Sequence, residues 1–377
     1  MDFALDASQL ELQTLARKVA NDALAPRAAA YDREQRFPAE QMADLARHGF
    51  LTMLVPSEAG GNGRGSVAYA LAMMEMAGAC AATSVTMAVT NMVGDAIYAW
   101  GSASLQQKYI PRLNDGSLVA GAFALSEPGA GSDASSLKAT AVRQGDRYVL
   151  NGSKCWITSG DQAKVMLVMA KTNPEAGAKG ISAFLVEPSM PGFSVGRHEE
   201  KMGIRASSTV TINLEDVEVP AENRVGDEGV GFKIAMRALD GGRIGIGAQA
   251  VGIGLAAQRA ALAYVNDRPE VAARGSVRTR LAQMSTELEA ARLLVMRAAD
   301  MKDRGVPFTK EASMAKMFAT ESANRATHRA LEIVGPDALD ARLVVERLFR
   351  DVRVSMIYEG TSEVQRVVIA RKVLAES

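Results

Sequence analysis

Residues 209–220 read TVTINLEDVEVP, and the apolar side chains of Val210, Ile212 and Leu214 alternate there with polar ones. A hydrophobic period of two residues is typical of a β-strand that has one buried face. The stretch therefore predicts a half-buried strand.

Segments on the N-terminal side of this strand extend the β region. KVMLVMAKT (164–172) and ISAFLVEP (181–188) predict two more strands, and the first is nearly all apolar, so we expect it to be buried. The pair Asn151-Gly152 lies between DRYVL and SKCWIT and predicts a hairpin with a two-residue turn. The strand-like pattern runs over about residues 119–226.

Helical periodicity flanks the β region on both sides. Leu12, Ala16 and Val19 recur at helical spacing near the start, and the helical period returns after Gly231. The polar, glycine-rich segment 56–66 predicts a loop between helices. The sequence thus predicts an α+β protein with an all-α N-terminal domain, a middle β domain and a helical C-terminal domain, over residues 1–118, 119–228 and 229–377.

Composition excludes several classes of protein. Among 377 residues, Lys plus Arg and Asp plus Glu number 43 each, so a net charge of zero gives no reason to expect binding to nucleic acid. We expect no secretory signal and no membrane span, because the start lacks a basic segment followed by an apolar run and no stretch of about 18 apolar residues occurs. The two cysteines and three histidines are far apart, which predicts no metal site and a cytoplasmic protein.

Two unusual loops remain once common nucleotide and hydrolase motifs are set aside. No G-x-G-x-x-G fingerprint, Walker A lysine or G-x-S-x-G elbow is present. The loop FALSEPGAGSDASS (123–136) has small residues that allow backbone N–H groups close to a ligand, although it also fits a plain turn between helix and sheet. In IYEGTSEVQR (357–366), Glu359 precedes a glycine, and taken alone it also fits an ordinary surface carboxylate.

Six ordered segments carry a resemblance to the acyl-CoA dehydrogenases over the whole length of the chain. They are LSEPGAGSD (125–133), NGSKCWIT (151–158), KMGIRAS (201–207), LDGGRIGIGAQAVG (239–252), ERLFRDVRV (346–354) and IYEGTSEVQR (357–366). The chain is most similar to short- and medium-chain members, whose base lies in an IYEGT loop. The resemblance implies FAD as cofactor, a middle β-barrel-like or sandwich domain and a C-terminal four-helix bundle.

The resemblance also implies roles for individual residues. Glu359 becomes the base that takes the α-proton of a thioester, and the helix near 240, where other members carry the base, has no glutamate at that position. The residues expected to bind the cofactor are Phe123, Leu125, Ser126, Ser132, Trp156, Ile157, Thr158, Arg268, Thr361 and Glu363. Those expected to meet the thioester and its pantetheine arm are Ser132, Asp240, Arg243 and Gly360.

Two segments depart from the family pattern. Where the family has R-x-x-F-G followed by a glutamine, residues 264–284 keep Arg268 but have valine and alanine in place of phenylalanine and glycine. Where the family has Q-x-x-G-G-x-G-Y, residues 332–339 read EIVGPDAL, and Pro336 removes an N–H from a backbone cradle. Both motifs serve the adenylate end of FAD across a subunit contact, so we hypothesise that this chain contributes weakly to a neighbour's FAD.

The expected activity is the FAD-dependent α,β-dehydrogenation of an acyl thioester, with hydride passing to flavin N5. The acyl carrier is CoA or a carrier protein, the electron acceptor is an electron-transfer flavoprotein, and the assembly is a homotetramer or dimer of dimers. Three alternatives remain at this point: a flavin monooxygenase, a non-redox lyase, and a non-catalytic or partner-dependent subunit of a hetero-oligomeric dehydrogenase. The retained Glu359 opposes the first two, and the two altered segments favour the third.

Overall fold

The computed structural model describes residues 4–340 and 342–376, and its chain begins with a layer of helices. These helices are α1 (Ala7–Val19), α2 (Ala25–Glu34), α3 (Ala39–Arg47), α4 (Gly65–Ala79), α5 (Ala81–Trp100) and α6 (Ala103–Asn114). Helices α4 and α5 are apolar on nearly all sides and are buried over most of their length. An all-round apolar helix must lie inside a larger structure, and the other two regions of the chain cover this pair.

The middle region is one eight-stranded sheet. Its strands are β1 (Gly121–Ala124), β2 (Thr140–Gln144), β3 (Arg147–Thr158), β4 (Val165–Lys171), β5 (Ile181–Val186), β6 (Phe193–His198), β7 (Thr209–Pro220) and β8 (Arg224–Val225). The order across the sheet is β6-β7-β3-β2-β4-β5-β8, with β1 parallel to β4. The alternation in 209–220 appears as alternating burial along β7, and β4 is buried throughout except for Lys171, as its apolar sequence predicts.

The hairpin predicted at Asn151-Gly152 is wrong. Strand β3 runs straight through this pair, and the tight turn lies between β2 and β3, after Gln144 and before Arg147. Asn151 and Gly152 instead mark a register shift against β7. A Cβ on Gly152 would lie 2.6 Å from the Cβ of Ala139, so the glycine serves close packing and not a chain reversal.

The C-terminal region is helical. Its helices are α7 (Gly231–Asn266), α8 (Pro269–Ala272), α9 (Gly275–Asp303), α10 (Thr309–Val334), α11 (Val345–Val352) and α12 (Ser362–Glu376). Helix α7 runs through the centre and packs against α4, α5, α9 and α10. Gly252 permits this packing, because a Cβ there would lie 2.2 Å from the carbonyl oxygen of Met74 on α4. The fold is thus the predicted α+β arrangement of helices, sheet and helices.

A partly buried ion pair joins the three regions. Arg350 on α11 donates to both carboxylate oxygens of Asp32 on α2, at 3.2 and 2.8 Å, and to the carbonyl oxygen of Met202 at 3.2 Å. Next to it, the carboxylate of Asp351 accepts the N–H of Ile204 at 2.6 Å. These contacts fix the segment 201–207 against α11.

Replacing Arg350 with Met is expected to lower the free energy of unfolding by about 2–3 kcal/mol, because it leaves the buried Asp32 carboxylate without its cation. Chemical denaturation monitored by circular dichroism measures this loss. Arg342→Met is the matched control, since Arg342 also holds an aspartate, Asp340, through paired hydrogen bonds but is 89% exposed. An exposed pair contributes about 0–1 kcal/mol, so equal losses in the two variants would contradict the assignment.

Candidate active site

Glu359 lies in a tight turn between α11 and α12. Its φ is 55°, and Gly360 follows with φ 87°, so two successive residues adopt the left-handed conformation. A side-chain-bearing residue persists there only where its surroundings hold it, at a cost of about 1–3 kcal/mol. Thr361 then begins α12 by accepting the N–H of Val364 on its hydroxyl at 3.3 Å.

The carboxyl group of Glu359 points into the protein. Its Oε2 atom is inaccessible to solvent and has no hydrogen-bond partner within the described ranges. The carboxyl packs directly against α7, because a Cβ on Gly242 would lie 2.5 Å from Oε2. Burial raises the pKa of Glu359 to about 7, although the positive charges of Arg243 and Lys316 act to lower it. A carboxyl group with such a pKa is suited to take a proton near neutral pH.

Arg243 and Asp240 form the polar part of α7 beside this carboxyl. Arg243 donates from Nη1 to Asp240 at 2.6 Å and to the hydroxyl of Ser313 at 3.2 Å, while its buried Nε has no partner in the described part of the chain. Asp240 also accepts the hydroxyl of Thr309 at 2.6 Å. The pair is therefore held rigidly through Nη1, while Nε of Arg243 stays unpaired within the described residues.

A second cluster of predicted residues surrounds Trp156. This residue has φ 58° at a bulge in β3, and it is 57% exposed. The ring lies against the small-residue loop, since a Cβ on Gly131 would be 3.4 Å from its Cζ3 atom. The bulge turns the side chain of Ile157 into the sheet core, so only the backbone of Ile157 is available to a ligand. Thr158 is half-buried beside them.

A buried ion pair between the loop and β3 holds the loop 123–136 in place. Lys154 is fully buried and donates to Glu127 at 2.8 Å and to the carbonyl oxygen of Leu125 at 3.2 Å. Glu127 also accepts the N–H of Lys138 on Oε2 and the N–H of Ala139 on Oε1. Leu125 and Ser126 are thereby held beside β3, while Ser132 lies exposed at the tip of the loop. Phe123 is half-buried and packs against the core between helices and sheet.

Comparison with known proteins was made for the whole chain. Sequence profiles for the N-terminal, middle and C-terminal domains of acyl-CoA dehydrogenase match residues 6–117, 122–217 and 229–374. The chain is 45% identical to the mitochondrial short-chain specific acyl-CoA dehydrogenase of Mus musculus, over 96% of this chain and 89% of that protein. The chain belongs to the acyl-CoA dehydrogenase family.

Two further relatives agree with this assignment. The acryloyl-CoA reductase (NADH) of Anaerotignum propionicum is 44% identical over 99% of this chain and 96% of its own length. The butyryl-CoA dehydrogenase structure from Megasphaera elsdenii superposes with a TM-score of 0.95 at 38% identity, covering 99% of this chain and all of that one. As an acyl-CoA dehydrogenase, the chain is an FAD-dependent oxidoreductase of acyl-CoA thioesters, which confirms the predicted cofactor and reaction class.

The residues around Trp156 fit a flavin. An exposed indole beside a loop of small residues offers a flat apolar wall to a planar ring system. The hydroxyls of Ser207 and Ser208 and the Oδ1 atom of Asp161 are buried without partners in the described residues. The backbone carbonyl of Ser208 accepts the N–H of Ser159, the residue that follows β3, at 2.8 Å. Unpaired buried polar atoms are suited to hydrogen bonds with the polar edge of a cofactor.

The remaining predicted residues lie elsewhere. Arg268 stacks on the ring of Tyr264, donates to its carbonyl oxygen at 3.2 Å, and lies 4.0 Å from Asp337. Glu363 faces solvent, with its carboxylate 3.8 Å from Arg366. The structure therefore brings Glu359, Gly360, Asp240 and Arg243 together at one place, and it does not bring Arg268 into that group.

The two segments that depart from the family pattern touch each other. Tyr264 donates its hydroxyl to Asp337 at 2.9 Å, and Arg280 donates to Glu332 at 2.7 Å. Glu332, which stands where the family has glutamine, is thus engaged in an internal ion pair. A cavity of about 350 Å³ opens beside this pair and is lined by Ser276, Thr279, Arg280, Gln283, Arg329 and Glu332.

Three residues around the Glu359 turn were not singled out by the sequence analysis: Gly242, Lys316 and Gln365. Gly242 lies between Asp240 and Arg243, which were expected to meet the substrate, but its own contact is with Glu359, more than a hundred positions away. Lys316 occurs in the helical run EASMAKMFAT, where it interrupts an apolar stripe. That interruption is a signal for a buried cation, although it does not identify the partner.

None of the helices in the described residues is both long and apolar enough to cross a bilayer.

Proposed function

We propose that this chain oxidises short-chain acyl-CoA thioesters to their α,β-unsaturated products, with Glu359 as the base that removes the α-proton. The observation that carries the proposal is the Glu359 carboxyl itself. It is aimed inward, its Oε2 atom has no hydrogen-bond partner among the described residues, and its pKa is raised to about 7. The short acyl chain is supported by the relatives named above.

The α-proton of a thioester is a weak acid, so its removal needs a base that is close, ionised and poorly solvated. Glu359 meets these requirements because burial makes its carboxylate a stronger base than a surface glutamate. Arg243, with its unpartnered buried Nε, is proposed to meet the thioester end of the substrate, together with Asp240 and Gly360. Ser132 at the exposed loop tip is proposed to meet the pantetheine arm.

FAD, when bound, supplies the acceptor for the hydride that leaves the β-carbon. The residues proposed to hold it are Trp156 and Thr158 on β3, the backbone of Ile157, and the loop residues Phe123, Leu125 and Ser126. The buried Lys154–Glu127 pair keeps that loop beside the indole, so the ring wall and the loop act as one rigid surface. Arg268, Thr361 and Glu363 are proposed to contact cofactor only at its edges or across a subunit contact.

Partners and assembly follow from the same proposal. An electron-transfer flavoprotein is the proposed electron acceptor, and a homotetramer or dimer of dimers is the proposed assembly. The cytoplasm is the proposed compartment, supported by two buried unpaired thiols, Cys80 and Cys155, which suit a reducing environment. The three domains are proposed to divide near residues 118 and 228.

The pH dependence of flavin reduction tests the proposal. A base works only when ionised, and Glu359 loses its proton near pH 7, so kcat/KM for butyryl-CoA is expected to rise about tenfold per pH unit below 7. Above that pH it is expected to level off. Stopped-flow measurement of the loss of flavin absorbance without oxygen gives the rate. A profile that is flat between about pH 6 and about pH 8 would rule out a base of this pKa.

A further inference from the structure

A buried amine lies behind the catalytic turn. Lys316 on α10 is fully buried, and its Nζ donates to the carbonyl oxygen of Gly360 at 2.7 Å. No carboxylate within the described ranges lies in ion-pair distance of it. Burying an ammonium group without an ion pair costs several kcal/mol, so the lysine at this position does not serve to raise the free energy of unfolding.

A buried amide converges on the same carbonyl from another helix. Gln365 on α12 is fully buried, and its Nε2 donates to the carbonyl oxygens of Gly360 at 2.9 Å and of Glu359 at 3.1 Å. Gly360 leaves room for this amide, because a Cβ there would lie 2.6 Å from Nε2. Two buried donors from two helices therefore hold the two successive carbonyls of the catalytic turn.

These carbonyls define the direction in which the Glu359 side chain leaves the backbone. Glu359 is in the left-handed conformation, which a glutamate seldom adopts. If its carbonyl or the next one rotates, the peptide planes on both sides rotate with it and the carboxyl group leaves its place against Gly242. The two donors oppose that rotation.

We propose that Lys316 and Gln365 are positioning residues for the catalytic base: together they clamp the turn at Glu359 and Gly360, and Lys316 also places a buried positive charge beside that turn. This inference rests on the proposed function of Glu359. It assigns to Gln365 a geometric role and to Lys316 a geometric and an electrostatic one.

The electrostatic part has a definite sign. Burial raises the pKa of Glu359, while Arg243 and Lys316 act to lower it. Burial lowers the pKa of Lys316 to about 8, and the Glu359 carboxylate opposes this. Removing the Lys316 charge must therefore raise the pKa of Glu359 further. The other ionisable groups around this centre are Tyr69 on α4, Asp95 on α5, Arg243 on α7, Lys302 on α9, Tyr358 on the turn, Glu321 on α10 and Glu363 on α12.

Two variants separate the geometric role from the electrostatic one. Lys316→Met is expected to lower kcat by about 10–100-fold and to move the acid limb of the kcat/KM profile about one pH unit higher. Gln365→Leu is expected to lower kcat similarly but to leave the acid limb in place, because it removes hydrogen bonds and no charge. Lys310→Met, on the same helix with its amine paired to the exposed Glu376, is the control and is expected to behave as wild type.

A second measurement does not depend on activity. Because the folded state raises the pKa of Glu359 above its unfolded value, the carboxyl favours folding at low pH, and this advantage is lost as pH rises to the folded pKa. The difference in thermal stability between wild type and Glu359→Gln should therefore stop changing near pH 7. In the Lys316→Met background it should stop changing at a higher pH.

The outcomes are distinguishable. If wild type fails to reduce its flavin with acyl-CoA, the proposed function is wrong, and the stability measurement still decides whether Lys316 sets the proton affinity of Glu359. If the pH at which the difference in thermal stability stops changing were the same in Lys316→Met as in wild type, the electrostatic role would be overturned. Wild-type kcat in both Lys316→Met and Gln365→Leu would overturn the clamp. If Lys316→Met fails to fold, Lys316→Gln, which retains a donor without the charge, tests the electrostatic role, and Gln365→Leu tests the clamp.

Discussion

Replacing Glu359 with Gln is expected to lower kcat by about 10³-fold, within the range that a positioned general base supplies, while the flavin content stays unchanged. Glutamine has nearly the same shape and keeps the packing against Gly242, but it cannot accept the α-proton. The measurement is a single turnover without oxygen, in which the loss of flavin absorbance is followed after mixing with butyryl-CoA.

A matched control and a contrary result sharpen this test. Glu376→Gln makes the same chemical change at an exposed position that pairs with Lys310, and it is expected to reduce flavin at the wild-type rate. If Glu359→Gln also kept the wild-type rate, another group would have to take the proton, and the catalytic assignment would be lost. Loss of flavin from Glu359→Gln would instead assign the residue to cofactor binding.

Local periodicity was sufficient to predict the order of helices, sheet and helices. The alternation in 209–220 corresponds to one buried face of β7, and the apolar run in 164–172 corresponds to burial of both faces of β4. Successive side chains of a strand point to opposite faces of the sheet, so the local pattern is enough to predict which faces are buried. The hairpin prediction at Asn151-Gly152 was wrong because both residues contact residues that are distant in the sequence or on another strand. Asn151 exchanges hydrogen bonds with Asp216 on β7 at 2.9 Å, and Gly152 packs on Ala139, so tertiary contacts override the local turn preference.

The proposed catalytic carboxylate and the residues proposed to position it differed in predictability. Glu359 was found through the resemblance of IYEGTSEVQR to a known loop, which also drew in Gly360. Lys316 and Gln365 were not found, since their roles follow from two helices converging on one turn. A lysine in a helix is normally solvated, and no periodicity indicates which carbonyl a buried lysine meets.

The altered segments present a different case. From the sequence, 264–284 and 332–339 are interpreted as departures from the family pattern, but the contact between the two segments could not be predicted. In the structure Tyr264 donates to Asp337 and Arg280 donates to Glu332, so each segment supplies hydrogen-bond partners to the other. Pairing of this kind is a property of tertiary contact, which composition and spacing within either segment do not contain.

Gly242→Ala is expected to give a folded, flavin-binding protein whose kcat falls by about 100-fold. The added Cβ would lie 2.5 Å from Oε2 and 2.8 Å from the carboxyl carbon of Glu359, too close for both groups to stay. The flexible end of Glu359 is the part that moves, since the backbone of α7 is held by packing against α4, α5, α9 and α10. A displacement of about 1 Å at a catalytic group costs on the order of 100-fold in rate. Single-turnover flavin reduction measures the loss.

Gly94→Ala is the control for this substitution. Gly94 is also a buried glycine within a helix, but the nearest atom to an added Cβ is 3.5 Å away, an ordinary contact. Alanine stabilises a helix interior by about 0.5–1 kcal/mol relative to glycine, so both variants gain helical stability and only Gly242→Ala loses activity. Full activity in Gly242→Ala would show that the carboxyl works from a position other than the one against α7. Unfolding of Gly242→Ala would show instead that the Glu359 side chain cannot move away from this contact.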